Sequence, residues 1–292
     1  MLRLTEGGFQ GIGDVTYFEK TYLPSALHEG TTEVITRSMS CTLKLAVLNG
    51  QPEIFHTLQG EGVSMGVPSI FIRSSLCNLH CTWCDTDYTW NWEGTPWTHE
   101  NDALPGYKKF SKADYIQEVS IEEVANILSH YPCKNVILTG GEPLLQQAGW
   151  EDLITHLRNI DPDYRFEVET NGTQLPNSFL QEAIDQWNVS PKLSNSGNAE
   201  NLRLNEASLA YFASSPKAWF KFVVQNEQDL EEIQEIEKRF SIPRSRILLM
   251  PEGRDEETLN QRRLWLADLC RDHGYRFSDR LHIQLWGSKR GV

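Results

Sequence analysis

Two things are scarce in this sequence: long apolar runs and positive charge. Uninterrupted apolar stretches such as 136–138 and 247–250 hold only a few residues, whereas a membrane-spanning helix needs roughly 20. The opening MLRLTEGGFQGIGDVTYFEK has no basic stretch followed by an apolar core, so no secretory signal is visible. These absences predict a cytoplasmic, reducing setting away from the membrane. Against 40 acidic side chains stand 27 basic ones, a formal net charge of −13. Such a surface repels phosphate backbones, so nucleic acid is not an expected partner. No Walker loop, H-E-x-x-H pair or Ser-His-Asp order occurs, which leaves phosphate-transfer, zinc-protease and hydrolase readings without support. Low-complexity segments are missing too, and 39% apolar with 23% charged residues describes a folded chain able to bury a core.

What is present alternates. Short apolar runs at 69–73, 135–139, 165–170, 188–191, 218–225, 246–250 and 281–286 read as buried strands. Helical patterns lie near 153–160, 179–187, 230–240 and 257–273. Another starts after Ser120, where Glu123 completes a capping-box pattern ahead of Val124, Ile127 and Leu128. Strand-plus-helix spacing repeats from Asn135 onward, which predicts an α/β fold with a parallel sheet, either a partial barrel or an open sheet. Two segments break the rhythm. Residues 1–43 are rich in Gly, Thr and Ser and read as an appended arm, with Met39 as an alternative start; residues 44–292 form the expected core domain. Residues 86–115 are a long aromatic insertion carrying Tyr88, Trp90, Trp92, Trp97 and Tyr107. Its tryptophans read first as the core of a small subdomain and second as a lid.

The cysteines concentrate the chemistry. Cys77, Cys81 and Cys84 are spaced C-x3-C-x2-C just after a predicted strand, whereas Cys41, Cys133 and Cys270 are scattered. In a reducing compartment, clustered thiols mark a metal site more often than disulfides. Three thiolates on one loop can hold three irons of a 4Fe-4S cubane and leave the fourth open. An open iron can chelate S-adenosylmethionine and reduce its sulfonium, releasing a 5'-deoxyadenosyl radical. The spacing also leaves open a structural zinc with His80 as fourth ligand, although zinc usually takes two separated pairs.

This loop, with Trp83 before its last cysteine, resembles the radical S-adenosylmethionine superfamily. Within it the chain is similar to the 7-carboxy-7-deazaguanine synthases over about residues 43–292: E-I-F-H-T-L-Q-G-E-G from Glu53, D-T at Asp85 and Thr86, L-T-G-G-E-P from Leu138, E-T-N-G-T from Glu169, S-P-K at Ser190, Pro191 and Lys192, K-F-V-V from Lys221, and the ending L-W-G-S-K-R-G-V. The resemblance implies a partial (β/α) barrel of the radical S-adenosylmethionine type. It also implies cofactor binding by Trp83, Gly140, Gly141, Glu142, Ser190, Pro191 and Lys192, with Gln225 as a further candidate. By the same resemblance Thr86 ligates Mg²⁺, and Leu58, Gln59, Gly60, Arg73 and Thr139 line the substrate site.

Taken as ordinary residues, these positions have plainer readings: Gly140-Gly141 a turn, Thr86 a loop cap, Arg73 a salt-bridge partner, and His56, His80 and His282 packing or surface groups. A planar guanidinium is nonetheless the best single side chain for gripping a carboxylate, and the implied substrate, 6-carboxy-5,6,7,8-tetrahydropterin, has one. The resemblance adds Glu169 at the pterin, and Arg73 and Glu169 are the candidate catalytic pair. The expected function is a lyase that contracts this pterin to 7-carboxy-7-deazaguanine with loss of ammonia, in 7-deazapurine and queuosine synthesis. A homodimer supplied by a flavodoxin- or ferredoxin-type reductant is implied with it. A glycyl-radical-enzyme activase and a zinc-bound interaction module are the alternatives.

Overall fold

The computed structural model describes residues 41–292; nearly all of the appended arm, with Met39, lies outside the described residues. Eleven strands form one sheet there. They are β1 (Thr42–Leu48), β2 (Gln51–Pro52), β3 (Ile54–Leu58), β4 (Pro68–Ser74), β5 (Ile116–Ser120), β6 (Asn135–Gly140), β7 (Arg165–Thr170), β8 (Gln186–Val189), β9 (Ala218–Val224), β10 (Ile247–Pro251) and β11 (Arg276–Phe277). From β4 through β6 to β11 the strands lie side by side in chain order and run parallel. At the other end β1 and β3 pair antiparallel with β4, and β2 and β5 antiparallel with β1. Among the described residues hydrogen bonds do not close the sheet, in keeping with the expected partial barrel.

Strand alternation explains how one sheet serves both core and chemistry. Ile72, Leu138, Val168, Trp187 and Ala218 stand opposite one another across five strands and are buried in the hydrophobic core. Successive side chains on a strand point to opposite faces. One step along, Arg73 pairs with Thr139 and Glu169 with Asn188, so this polar row faces the concave side. Helices Ile121–Ser129, Gln147–Ile160, Glu206–Ser214 and Asp229–Phe240 contribute apolar residues to the same core. Fully burying each large apolar side chain stabilises the fold by about 1.5–3 kcal/mol.

Several expectations shift. The strand expected at 188–191 is β8, two residues earlier, and the helix expected at 179–187 ends at Ala183. Trp187 satisfies the apolar pattern of either element, and burial in the sheet core decides for the strand. The strand expected at 281–286 is a helix, Leu281–Trp286; a short apolar run does not distinguish the two by periodicity. Strand β1 begins at Thr42 with Leu43 fully buried, inside the segment read as the arm. Ser120 caps its helix by accepting the Glu123 amide at 3.2 Å. The aromatic insertion holds only short helical turns and one isolated bridge between Trp92 and Phe110. Its tryptophans divide: Trp90 is buried, whereas Trp97 is 41% exposed and stacks on His80 at 3.7 Å.

Candidate active site

The C-terminal ends of the parallel strands open into a cavity of about 780 Å³, the position where parallel α/β sheets hold ligands. Every candidate site residue lines it except Glu142, Pro191 and Gln225. The Glu142 carboxylate is fully buried and accepts hydrogen bonds from the Leu144 amide (3.0 Å), the Thr170 hydroxyl (2.8 Å) and the Asn171 amide (2.7 Å). It fastens the end of β7 to the glycine turn. Gln225 gives its amide to Asp229 at 2.7 Å at the start of the next helix.

The cysteine loop leaves β4 through Leu76, whose φ is 75°. Gly140 and Gly141 press against this exit. A Cβ on Gly140 would stand 2.0 Å from the Ser74 carbonyl oxygen, and one on Gly141 would stand 2.1 Å from that of Leu76. The Gly141 and Glu142 amides donate to those two carbonyls at 3.1 and 2.8 Å. The glycine pair is thus required by close backbone approach. Burial pushes the thiols of Cys77, Cys81 and Cys84 up, Cys84 to about 12; the neighbouring cysteines add to this at Cys77, Asp85 at Cys81, and Asp85 with Cys81 at Cys84. Thiolates crowded in this manner need a strong local positive charge, which irons provide. Among the described residues no three His, Cys, Asp or Glu side chains are gathered to hold a single metal ion. Three soft thiolate donors on one loop at the strand ends suit three irons of a 4Fe-4S cluster. His80 stacks between Trp97 and the edge of Trp90 instead of closing a zinc site.

Across the cavity the polar row forms a second group. Gln59 donates to one oxygen of Glu169 at 3.0 Å and Thr139 to the other at 2.7 Å. Arg73 donates through Nε to the buried Glu53 at 3.1 Å, and the Tyr88 hydroxyl reaches the same oxygen at 3.3 Å. Burial lowers the Arg73 pKa, but Tyr88, Glu53, Asp85 and Glu169 outweigh it and raise it above its ordinary value. Nearer the cysteines, the Lys192 ammonium donates to the Ser190 hydroxyl at 3.0 Å and lies 5.9 Å from the Trp83 ring. The Thr86 hydroxyl is 3.5 Å from the Cys84 sulfur.

A charged network joins these groups from residues that the sequence reading left without a role. Glu61 pairs with Lys221 from β9 and, at 3.0 Å, with Arg280. Arg280 also pairs with Asp85 and donates to the Gly253 carbonyl at 2.6 Å. Burial alone would raise the Glu61 carboxyl, but Lys221 and Arg280 hold it well below the usual carboxylate range. Lys221 was visible as the first residue of K-F-V-V; Arg280 stands just before a misassigned helix and carried no local signal. His282 from that helix also lines the cavity, occupying the space where a Cβ on Gly60 would fall.

A parallel partial barrel with a three-cysteine loop and a glycine turn at its strand ends defines a radical S-adenosylmethionine enzyme. Residues 71–192 match the model of the radical S-adenosylmethionine superfamily. The chain is 38% identical to the 7-carboxy-7-deazaguanine synthase of Pyrobaculum aerophilum, over 87% of this chain and all of that one. It is 36% identical to the synthase of Halobacterium salinarum, over 80% of this chain and 89% of that one. The crystal structure of QueE from Escherichia coli superposes with a TM-score of 0.58 at 25% identity, covering 82% of this chain and 95% of that one. The chain belongs to the 7-carboxy-7-deazaguanine synthase family. It is a carbon-nitrogen lyase of queuosine biosynthesis that acts on 6-carboxy-5,6,7,8-tetrahydropterin with a 4Fe-4S cluster, S-adenosylmethionine and Mg²⁺.

Proposed function

We propose that the two ends of this cavity divide the reaction between them. Cys77, Cys81 and Cys84 hold the cluster. Trp83, Gly140, Gly141, Ser190 and Lys192 hold S-adenosylmethionine, with Glu142 and Pro191 shaping their turns. Thr86 ligates Mg²⁺, and Leu58, Gln59, Gly60, Arg73, Thr139 and Glu169 hold the pterin. The observation that carries this reading is the convergence of the cysteine loop and the Arg73–Thr139–Glu169 row on one cavity. When bound, the cluster and S-adenosylmethionine supply the one-electron chemistry that begins hydrogen abstraction. The protein's part is positional. Arg73 presents a fixed cation to the substrate carboxylate, and Glu169, held at both oxygens, presents acceptors to the ring nitrogens.

The test uses anaerobically reconstituted enzyme with dithionite, S-adenosylmethionine, Mg²⁺ and the pterin. Loss of a charged hydrogen bond costs about 1.5–3 kcal/mol. Arg73→Gln should therefore lower kcat/KM for the pterin by roughly 10- to 150-fold while iron content stays unchanged. Wild-type kcat/KM in this variant would refute the assignment.

The homodimer, the flavodoxin- or ferredoxin-type reductant and a cytoplasmic setting complete the proposal. Exposed Leu285 and Trp286 offer apolar surface to a second copy, and sedimentation checks the dimer. Among the described residues no helix is long and apolar enough to cross a membrane. None of the six cysteines is disulfide-bonded to another.

A further inference from the structure

The cysteine loop is gripped by a segment outside every motif read from the sequence. After Leu193 the chain makes a short helical turn, Ser194–Ser196, and lays Asn195, Ser196 and Asn198 along the loop. The Thr82 amide donates to the Ser196 carbonyl at 3.0 Å, and the Trp83 indole donates to the Asn195 carbonyl at 3.0 Å. Gly197, at φ +78°, allows this approach, since a Cβ there would meet the Thr82 methyl at 2.8 Å. Asn198 makes the closest contact with the chemistry. Its Oδ1 accepts the His80 amide at 3.0 Å, and its Nδ2 lies 3.4 Å from the Cys81 sulfur. The His80 N–H can only donate, so the carboxamide orientation is settled: oxygen toward His80, NH₂ toward sulfur. Nδ2 has two hydrogens. The second serves the Ser196 hydroxyl at 3.1 Å, which itself donates to the Leu193 carbonyl at 2.7 Å.

We propose that Asn198 is a positioning residue that sets the reduction potential of the cluster through an N–H···S hydrogen bond to Cys81. The inference rests on the assignment of Cys81 to the cluster, which iron and sulfide analysis of the wild-type protein tests separately. One-electron reduction places additional negative charge on the cluster and its sulfurs. A donor at sulfur stabilises that charge more in the reduced state, so its removal lowers the potential.

The experiment is an anaerobic redox titration of reconstituted enzyme, without S-adenosylmethionine, followed by the electron paramagnetic resonance signal of the reduced cluster. Asn198→Asp keeps the acceptor for His80 but turns a carboxylate oxygen toward sulfur; Asn198→Ala removes both contacts. The reduction equilibrium should fall at least about tenfold in Asn198→Asp, which for one electron is a shift of about 59 mV to lower potential. Asn198→Ala should shift in the same direction wherever it retains iron. An unchanged midpoint in Asn198→Asp with full iron and sulfide would overturn the proposal. So would loss of the cluster from Asn198→Asp, because the residue would then hold the loop and not tune it.

Discussion

Two single residues carry sharply defined physical demands. A Cβ on Gly141 meets backbone, not the yielding end of a side chain. Gly141→Ala is therefore expected to lower unfolding free energy by about 1–3 kcal/mol, the usual cost of overpacking; urea denaturation measures it. Glu61 makes the second demand, through pH. Its folded pKa is depressed, so its contribution is fully present above the ordinary carboxylate value of 4.5 and is lost as pH falls through the folded value. Glu61→Gln removes one partner of a buried ionic network and should cost about 3–5 kcal/mol near neutrality. The gap to wild type should narrow progressively below pH 4.5, as followed by denaturation across an acid series. A gap independent of pH would remove Glu61 from the network's energetics.

Among the elements, the helix Gln147–Ile160 links packing to the site. Trp150 is fully buried and its indole donates to the Pro143 carbonyl at 2.7 Å, pinning the end of the glycine turn. Trp150→Phe keeps most of the volume but removes this hydrogen bond. The expected cost is about 0.5–1.5 kcal/mol, read by thermal or chemical denaturation. The aromatic insertion works similarly from the other side. His99 accepts the Asn101 amide at Nδ1 (3.0 Å), leaving Nε2 to donate to the Cys84 carbonyl at 2.8 Å, while the Glu100 amide donates to Thr82 at 2.9 Å. The insertion therefore clasps the cysteine loop through its backbone, a role different from either reading of its tryptophans. Aromatic composition signalled burial, but the partner of each ring depends on a loop path without a period.

For the molecule as a whole, the charge of −13 sits beside a cavity whose carboxylates are matched by cations. Arg73 and Lys192 are the cations proposed for small anionic ligands there, Lys221 and Arg280 are paired with Glu61 and Asp85, and the net acidic charge opposes polyanions. Although the pathway serves queuosine, free tRNA should not be retained by the enzyme at physiological salt in a filter-binding assay. Micromolar retention would show that local basic surface overrides the net charge.

The alternation of strands and helices and the ligand spacing of the cysteine loop can be read along the chain. Apolar period and ligand spacing are local properties, written within a few residues of each other. Arg73 stands out as a polar residue beside an apolar strand, whereas Thr139 and Glu169 are reached through the family resemblance. Three-dimensional packing alone brings Glu61, Asp85, Lys221 and Arg280 into one network, keeps Glu142 off the cavity lining and sets Asn198 against Cys81. Those pairings join residues more than a hundred positions apart in most cases. Which side chains meet depends on sheet register and loop closure, and neither leaves a periodic trace in the chain.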